Sequence, residues 1–310
     1  MNVYHGHSGL PEAARGAVLA LGNFDGVHRG HAAVLARART LAAELGRKPG
    51  AAVFSPHPRR LFQPDAEPFA LMSDAQRVRA LQAEGAAVIH HIVFDHALSR
   101  MTPEGFVEAV LHQGLGAAGI VTGADFCFGK GRAGSAGDLQ RLCQARGIRC
   151  VIAEAVAAKN AQGKISSSDV RRALREGDPE QAASLLGRPF AIEGPVSRGD
   201  QRGRTIGFPT ANVALGDYVR PAFGVYATRS RLEDGRLAPG VANLGRRPTV
   251  AGSEARLEVH LFDFSEDLYG QTLETELIAF IRPETKFDGL DQLKAQIAED
   301  SETARRTLGA

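Results

Sequence analysis

Two histidines and three glycines are concentrated in the ten-residue stretch GNFDGVHRGH, residues 22–31. His28 and His31 are three positions apart, so at the start of a helix they would lie on one face. The glycines would allow the backbone to approach a ligand closely. Free N–H groups and the helix dipole at such a point attract anions, and two imidazoles add donors. The spacing therefore indicates a site for a phosphate chain whose negative charge grows during a reaction.

Other interpretations of this stretch stay open on spacing alone. It could be a solvated turn with two incidental histidines. It could also hold zinc, although metal-binding helices prefer histidines at i and i+4 and no third ligand is evident. A different string, with Gly129, Gly131 and Gly134, has the G-x-G-x-x-G dinucleotide pattern. It comes late in the predicted sheet and beyond its strand, which disfavours a dinucleotide site there.

The first half of the chain alternates short apolar runs with helical patterns. We predict strands at 17–21, 51–54, 88–94, 119–122 and 149–153, and helices at 31–45, 73–84, 103–113 and 136–146. A glycine follows each predicted helix and is expected to end it in the left-handed conformation; these are Gly46, Gly85, Gly114 and Gly147. Alternation of this kind predicts a parallel sheet covered on both faces. The histidine stretch follows the first strand, at the edge where open sheets bind ligands.

The second half has the period of two that is typical of antiparallel strands. RLEVHLFDF, 256–264, places Leu257, Val259 and Leu261 on one face and Glu258 and His260 on the other. TLETELIAFI, 272–281, repeats the alternation, and together these strings predict a barrel or a sandwich. A helix from about Asp288 follows, with Leu290, Leu293 and Ile297 along one side. We therefore expect two domains, 1–182 and 183–310.

A second candidate phosphate site is the string KISSSDVRRAL, residues 164–174. Serine hydroxyls at a predicted helix start, with cations on both sides, suit a triphosphate. The residues concerned are Lys164, Ser166, Ser167, Ser168 and Arg171. An ordinary serine N-cap with solvated charges is the simpler interpretation of this string taken alone.

The second half carries its own candidate site in GPVSRGDQRGRTIGFPTANV, residues 194–213. Glycines spaced by four among arginines are typical of a loop that folds over phosphates. This loop includes Gly203, Arg204 and Gly207. Thr210 and Asn212 then offer hard oxygen donors to Mg²⁺, which fills its other positions with phosphate and water. Glu258 could accept a proton from an attacking hydroxyl. From sequence alone, a surface glutamate on an edge strand is the simpler interpretation.

Taken together, these strings resemble one family. G-x-F-D-G-x-H-x-G-H resembles the adenylyltransferase half of the bacterial bifunctional riboflavin kinase/FMN adenylyltransferases (FAD synthetases), and I-S-S-S-x-x-R is similar to their I-S-S-T-x-x-R with Ser168 replacing threonine. PTAN, GVANLGRRPT (240–249), EVHLFDFSEDLYG (258–270) and RPETKF (282–287) resemble the flavokinase half in order and spacing. The likeness runs from about Gly16 to Asp300. It implies an α/β nucleotidyltransferase domain of the HxGH type, with a Rossmann-like parallel sheet, followed by an antiparallel β-barrel kinase domain with a C-terminal helix.

The resemblance also implies roles for individual residues. It implies that riboflavin is phosphorylated to FMN in the barrel and that FMN is adenylylated to FAD in the first domain, with ATP as donor in both. It implies catalysis by His28 and His31, Mg²⁺ held by Thr210 and Asn212, and Glu258 as base. Nucleotide contacts are implied for the loop residues Gly22, Asn23, Phe24, Asp25 and Gly26. They are also implied for the residues named above in KISSSDVRRAL and for Gly203, Arg204 and Gly207. Flavin contacts are implied for Phe54, Phe62, Asp125 and Arg282.

The composition limits which classes of binding partner and which cellular compartment we expect. A net charge of +2 without a Lys/Arg-rich run argues against a nucleic-acid surface. Three cysteines without a C-x-x-C pair do not indicate a disulfide framework. The first residues lack the basic, apolar and small-residue order that predicts a signal peptide, and the apolar stretches are too short to predict a membrane span. We expect a cytoplasmic enzyme with small-molecule partners, without nucleic-acid or membrane partners; its oligomeric state stays open.

Two alternative functions stay open. One is a single-activity adenylyltransferase for another phosphorylated substrate, whose β domain serves only for binding. The other is a non-catalytic flavin-binding regulator.

Overall fold

The computed structural model describes residues 2–156, 164–198, 207–249 and 252–310. Residues 1–66 and 74–165 form one compact unit, and residues 67–73 and 166–310 form a second. The first unit is built on a parallel sheet and the second on an antiparallel barrel. Both architectures confirm the fold class expected from the sequence.

The sheet of the first unit has six strands, all paired in parallel. They are β1 (Val3–His5), β2 (Val18–Leu21), β3 (Pro49–Ser55), β4 (Val88–Val93), β5 (Gly119–Gly123) and β6 (Arg149–Ala153), in the spatial order β1-β4-β3-β2-β5-β6. The chain adds β3 and β4 on one side of β2 and then β5 and β6 on the other. Such a switch point opens a crevice at the carboxyl ends of the strands, and here it lies beside β2.

The four helices predicted for the first unit are present, and two short helices, at 58–62 and 96–99, were not predicted. They are α1 (Arg29–Glu44), α2 (Pro58–Phe62), α3 (Asp74–Ala83), α4 (His96–Ser99), α5 (Pro103–Gly105), which continues as a π-helix over Phe106–Gly114, and α6 (Ala136–Gln144). Apolar side chains of the sheet and of the π-helix, including Leu19, Phe54 and Val110, pack into one core.

The prediction of glycine stops is confirmed at three of the four positions. Gly46, Gly85 and Gly147 have left-handed φ angles of 62, 88 and 72°. The prediction for Gly114 is wrong, because this glycine lies inside the π-helix, where a Cβ would collide with the His7 carbonyl oxygen. Gly116, with φ of 56°, supplies the left-handed residue instead.

In its described residues, the second unit has a closed antiparallel barrel and three helices. Its elements are α7 (Ser167–Arg175), α8 (Pro179–Leu186), β7 (Phe190–Ser197), β8 (Ala211–Ala214), β9 (Gly224–Arg231), β10 (Leu237–Thr249), β11 (Gly252–Leu261), β12 (Thr272–Pro283) and α9 (Leu290–Leu308). The strand order around the barrel is β10-β11-β8-β7-β12-β9. Leu257, Val259 and Leu261 are buried, as their alternation predicts. β11 ends at Leu261 rather than at residue 264, because the turn that follows includes Asp263 in the left-handed region.

Helix α9 packs through a later part of its predicted stripe. Leu290 is 54% exposed, and the buried residues are Asp300, Ser301 and Ala304. These positions continue the same three- and four-residue spacing, so the face was predicted correctly but its packed region was not.

The compact units divide at residues 165/166, earlier than the predicted boundary at 182/183. The reason is that α7 packs on α8, while α8 packs against β7 and β12 of the barrel. Within the described ranges, every helix is too short or too polar to cross a membrane.

Candidate active sites

The loop between β2 and α1 is strained and buried. Phe24 and Val27 have φ angles of 52 and 39°, a region that costs non-glycine residues roughly 1–3 kcal/mol each. Both side chains are buried, as is Asp25, and the N–H of Gly22 donates to the Ala52 carbonyl at 3.2 Å. Such conformations persist only where surrounding contacts hold them, which is typical of ligand-binding loops.

His28 and His31 stack on each other at the N-terminus of α1. Their ring centroids are 3.7 Å apart and their planes 17° apart. His28 Nδ1 accepts the His31 backbone N–H at 3.3 Å, which places the proton of the neutral His28 ring on Nε2. A Cβ on Gly30 would lie 3.1 Å from the His28 ring and 3.3 Å from the Ile165 carbonyl oxygen. The glycine of the HxGH string therefore makes room for the ring.

Polar groups beside this loop are held at the switch point. The buried Thr122 hydroxyl donates to the Leu21 carbonyl at 3.1 Å and so ties the ends of β5 and β2. Asn23 Oδ1 is buried and has no hydrogen-bond partner within the described ranges of the chain. A buried acceptor of this kind is suited to a ligand N–H or O–H.

Lys164 and Asp125 form an ion pair in the same unit, with Nζ and Oδ2 2.5 Å apart. The hydrogen bond from Lys164 holds the pKa of Asp125 below its usual value, and the nearby His28 adds to the effect. Sequence reasoning placed these two residues in different roles, flavin and nucleotide contacts. The structure brings them together, so a phosphate that binds Lys164 would compete with a carboxylate.

The serine string begins α7 and belongs to the second unit. Ser166 is the N-cap, and it exchanges hydrogen bonds with Asp169 in a capping box. That contact lowers the pKa of Asp169. Arg171 Nε donates to the Phe69 carbonyl at 2.7 Å, and its guanidinium lies 5.5 Å from the Phe69 ring centre. The simpler N-cap interpretation thus describes Ser166, while Ser167 is half-buried and Ser168 exposed.

The two phenylalanines predicted at the flavin differ in exposure. Phe54 belongs to the sheet core, whereas Phe62 on α2 is 64% exposed. Both contact Phe94 edge-on, with ring centres 5.7 and 5.9 Å away. Of the two side chains, Phe62 is the one exposed at the surface of this unit.

In the barrel, Glu258 lies directly opposite Asn212 of β8 and Asn243 of β10. Cross-strand neighbours have Cβ atoms roughly 4.5–5.5 Å apart and point to the same face. Their sequence neighbours Leu257 and Val213 are paired and fully buried inside the barrel. The carboxylate and two amides therefore form one row on the outer face.

A cavity of about 350 Å³ opens at the end of this row. Thr210 and Asn212 line it together with the 264–269 segment after β11. Asn212 Nδ2 donates to the Thr210 carbonyl at 3.3 Å, so the amide oxygen is the atom left to bind a cation. A side-chain hydroxyl and an amide oxygen fit Mg²⁺ when phosphates and water complete its octahedron. No cluster of three His, Cys, Asp or Glu able to hold a metal occurs among residues that the structure describes.

The basic loop before this cavity is described only at its ends. Gly203 and Arg204 lie outside the described residues, and Gly207 has a left-handed φ of 92°. At the other end, the Arg198 guanidinium lies 5.4 Å from the ring centre of Tyr269, which also lines the cavity.

Arg282 forms a bidentate ion pair with the buried Asp300 of α9. Its Nε and Nη2 donate to the two carboxylate oxygens at 2.9 and 2.7 Å. The guanidinium predicted near the flavin therefore joins β12 to α9 directly.

Sequence reasoning missed several residues that the structure places in these sites. Asn243 and Tyr269 stand in family strings but received no individual role, and Asp300 of the C-terminal helix received none either. Each of them acquires a role through a partner distant in the chain, which no local pattern reveals.

Comparisons with known proteins match the two halves of the chain separately. Residues 10–169 match the family model described as FAD synthetase, and residues 186–308 match the one described as riboflavin kinase. The predicted boundary at 182/183 falls between these matches.

Full-length relatives share both halves. The bifunctional riboflavin kinase/FMN adenylyltransferase of Escherichia coli (strain K12) is 41% identical over 314 residues, covering 100% of this chain and 98% of that protein. The enzyme of the same name from Bacillus subtilis (strain 168) is 36% identical over 311 residues, covering 99% and 97%. A Streptococcus pneumoniae crystal structure, described as a macrolide-efflux protein, matches with a TM-score of 0.87 and 32% identity, covering 98% of this chain and 99% of that one. The chain thus belongs to the bifunctional riboflavin kinase/FMN adenylyltransferase family.

Proposed function

We propose that this protein makes FMN and FAD at two separate sites, with the residue roles given below. The barrel phosphorylates riboflavin with ATP, and the site at the β2–α1 loop adenylylates FMN with a second ATP. The observation that carries the proposal is the placement of Glu258 directly opposite Asn212, which itself lines a cavity. Membership of the family supports both reactions and their substrates ATP, riboflavin, FMN and FAD.

At the barrel site, the ribityl 5′-hydroxyl attacks the γ-phosphorus of ATP and ADP leaves. Glu258 accepts the hydroxyl proton. Because it lies directly opposite Asn212 on the neighbouring strand, the base is close to the proposed phosphate position. Thr210 and Asn212 would hold Mg²⁺, which when bound would offset the charge of the transferring phosphoryl group. Gly203, Arg204 and Gly207 add phosphate contacts from the basic loop, and Arg282 acts at the flavin end.

At the β2–α1 site, a phosphate oxygen of FMN attacks the α-phosphorus of ATP. The bond to the β-phosphate breaks and pyrophosphate leaves, so no covalent enzyme intermediate is needed. His28 donates from Nε2, and His31 and the N-terminal end of the α1 dipole add positive potential. Lys164, in the same unit, acts on the phosphates. Phosphate contacts by Ser166, Ser167, Ser168 and Arg171 stay a prediction from the family resemblance. Gly22, Asn23, Phe24, Asp25 and Gly26 hold the nucleotide, while Phe54, Phe62 and Asp125 act on the flavin side.

The first test is to incubate the purified protein with riboflavin, ATP and Mg²⁺ and to separate the flavins over time. FMN followed by FAD is expected. FMN alone would contradict the histidine site, and conversion of supplied FMN without riboflavin turnover would favour a single-activity adenylyltransferase. No product from either flavin would favour a non-catalytic flavin-binding regulator.

Two variants then test the division of labour. Glu258→Gln should abolish FMN formation and leave FMN adenylylation intact, and His28→Ala with His31→Ala should do the reverse. Glu274→Gln, a carboxylate of strand β12, serves as the control. Loss of both activities in either folded variant would contradict two independent sites. A cytoplasmic location and the lack of nucleic-acid and membrane partners stay predictions.

A further inference from the structure

The side chain of Arg77 is buried on α3, although arginine is rarely buried. Only 6% of it is exposed, and its single ion-pair partner within the described ranges, Asp74, has a side chain that is 64% exposed. Nη2 donates to Asp74 Oδ1 at 2.7 Å. Burying a guanidinium costs several kcal/mol unless its donors are used, and an apolar residue would be cheaper at such a position.

The second donor of Arg77 reaches the strained loop. Nη1 donates to the Asn23 carbonyl at 3.4 Å, immediately before Phe24 with its φ of 52°. A left-handed non-glycine residue needs contacts that hold it, and this hydrogen bond fixes the peptide that precedes it. The same residue, Asn23, carries the buried Oδ1 without a partner among described atoms.

Arg77 also connects the loop to the sheet. Asp74 Oδ2 accepts the Ser55 hydroxyl at 3.1 Å, at the carboxyl end of β3. Burial lowers the pKa of His91 of β4, and the nearby Arg77 guanidinium lowers it further. The chain of contacts therefore runs from β3 through α3 to the loop that precedes His28.

We propose that Arg77 is a positioning residue for FMN adenylylation, because it holds Asn23 and the left-handed Phe24 in the conformation that presents the histidine pair. The inference rests on the proposed adenylyltransferase function. Arg77 does not touch the reacting atoms; its effect is on the geometry of the loop. A misplacement of about 1 Å in such a site costs about 100-fold in rate.

The test uses the full chain and measures both reactions. Arg77→Met should lower kcat for conversion of FMN to FAD at least about tenfold, with a smaller change in the KM for ATP and with riboflavin phosphorylation unchanged. Arg77→Lys should fall between wild type and Arg77→Met, because a point charge cannot make both bonds of the planar fork. The matched control is Arg79→Met, which removes an exposed arginine from the same helix.

If Arg77→Met does not fold, the test uses Arg77→Lys and the isosteric Asp74→Asn. Both should lower kcat for conversion of FMN to FAD. The inference would be overturned if Arg77→Lys and Asp74→Asn kept the wild-type kcat, or if their kcat fell no more than that of Arg79→Met. Either result would leave the proposed function intact. Failure of the wild-type protein to convert FMN to FAD would overturn the proposed function as well.

Discussion

Glu258 on β11 and Asn212 on β8 are direct cross-strand neighbours on the outer face of the barrel. The proposed base and a proposed metal ligand are therefore held by the hydrogen-bond register of two rigid strands rather than by a flexible loop. Sheet geometry fixes their separation. Because their proposed roles differ, substitutions at the two positions should change different kinetic parameters.

Asn212→Ala should raise the Mg²⁺ concentration needed for half-maximal riboflavin phosphorylation about tenfold or more, because an oxygen ligand is lost. Glu258→Gln should lower kcat by roughly 10²–10⁴ without moving that midpoint, because only proton transfer is lost. Metal titrations of both variants measure this. Equal shifts in the Mg²⁺ midpoint would contradict the separate roles.

Gly30→Ala should lower FMN adenylylation about tenfold or more and leave riboflavin phosphorylation unchanged, because the new Cβ displaces the His28 ring by a few tenths of an ångström. Gly137→Ala on α6 is the control, since its Cβ meets nothing closer than 3.7 Å. Initial rates with FMN and with riboflavin decide. An unchanged adenylylation rate would show that the ring position does not matter.

Phe62→Ala should raise the KM for FMN in adenylylation up to about tenfold, the value of one lost aromatic stacking contact. The exposed side chain supports little of the fold, so stability and the KM for ATP should stay constant. Leu45→Ala, another exposed apolar residue of this unit, controls for the loss of surface area. A wild-type KM for FMN would exclude Phe62 from the flavin site.

Asp300→Asn should lower the free energy of local unfolding of α9 by about 3 kcal/mol, because it leaves the Arg282 guanidinium without its carboxylate. The paired change Arg282→Met with Asp300→Leu should recover most of that stability. Hydrogen exchange in α9 measures this, and the riboflavin KM is measured alongside. A raised KM in the stable double variant would support direct flavin contact by Arg282, whereas a normal KM would assign it to helix docking.

His90 should make the first unit less stable in acid. The imidazole is fully buried and burial lowers its pKa from 6.5 to about 4, so the unfolded chain binds the proton more tightly than the folded chain. Stability is therefore full above pH 6.5 and is lost as the pH falls towards 4, by about 3 kcal/mol in total.

The measurement is hydrogen exchange of the sheet amides at pH 7.5 and pH 5, corrected for intrinsic rates. His90→Leu should reduce the difference between the two pH values, with His91 supplying what is left. His96→Leu, at an exposed position of α4, should leave the difference unchanged. The same pH dependence in His90→Leu and wild type would contradict this assignment.

The sequence by itself determined the features that depend on local periodicity. The strand–helix alternation of the first half, the period of two in the second and the positions of GNFDGVHRGH and PTAN are readable because each element buries one face at a fixed spacing. Thr102, an N-cap before Pro103, follows from short-range hydrogen bonding as well.

Only the tertiary structure decided which distant residues meet. The register that sets Asn212 and Asn243 against Glu258, the hydrogen bond from Arg77 to Asn23 and the pairing of Arg282 with Asp300 all join segments far apart in the chain. Local patterns state that a residue faces inward or outward but not which strand or helix lies opposite. That choice depends on the packing of whole elements, because each pairing gains its free energy only when the complete sheet or barrel has closed.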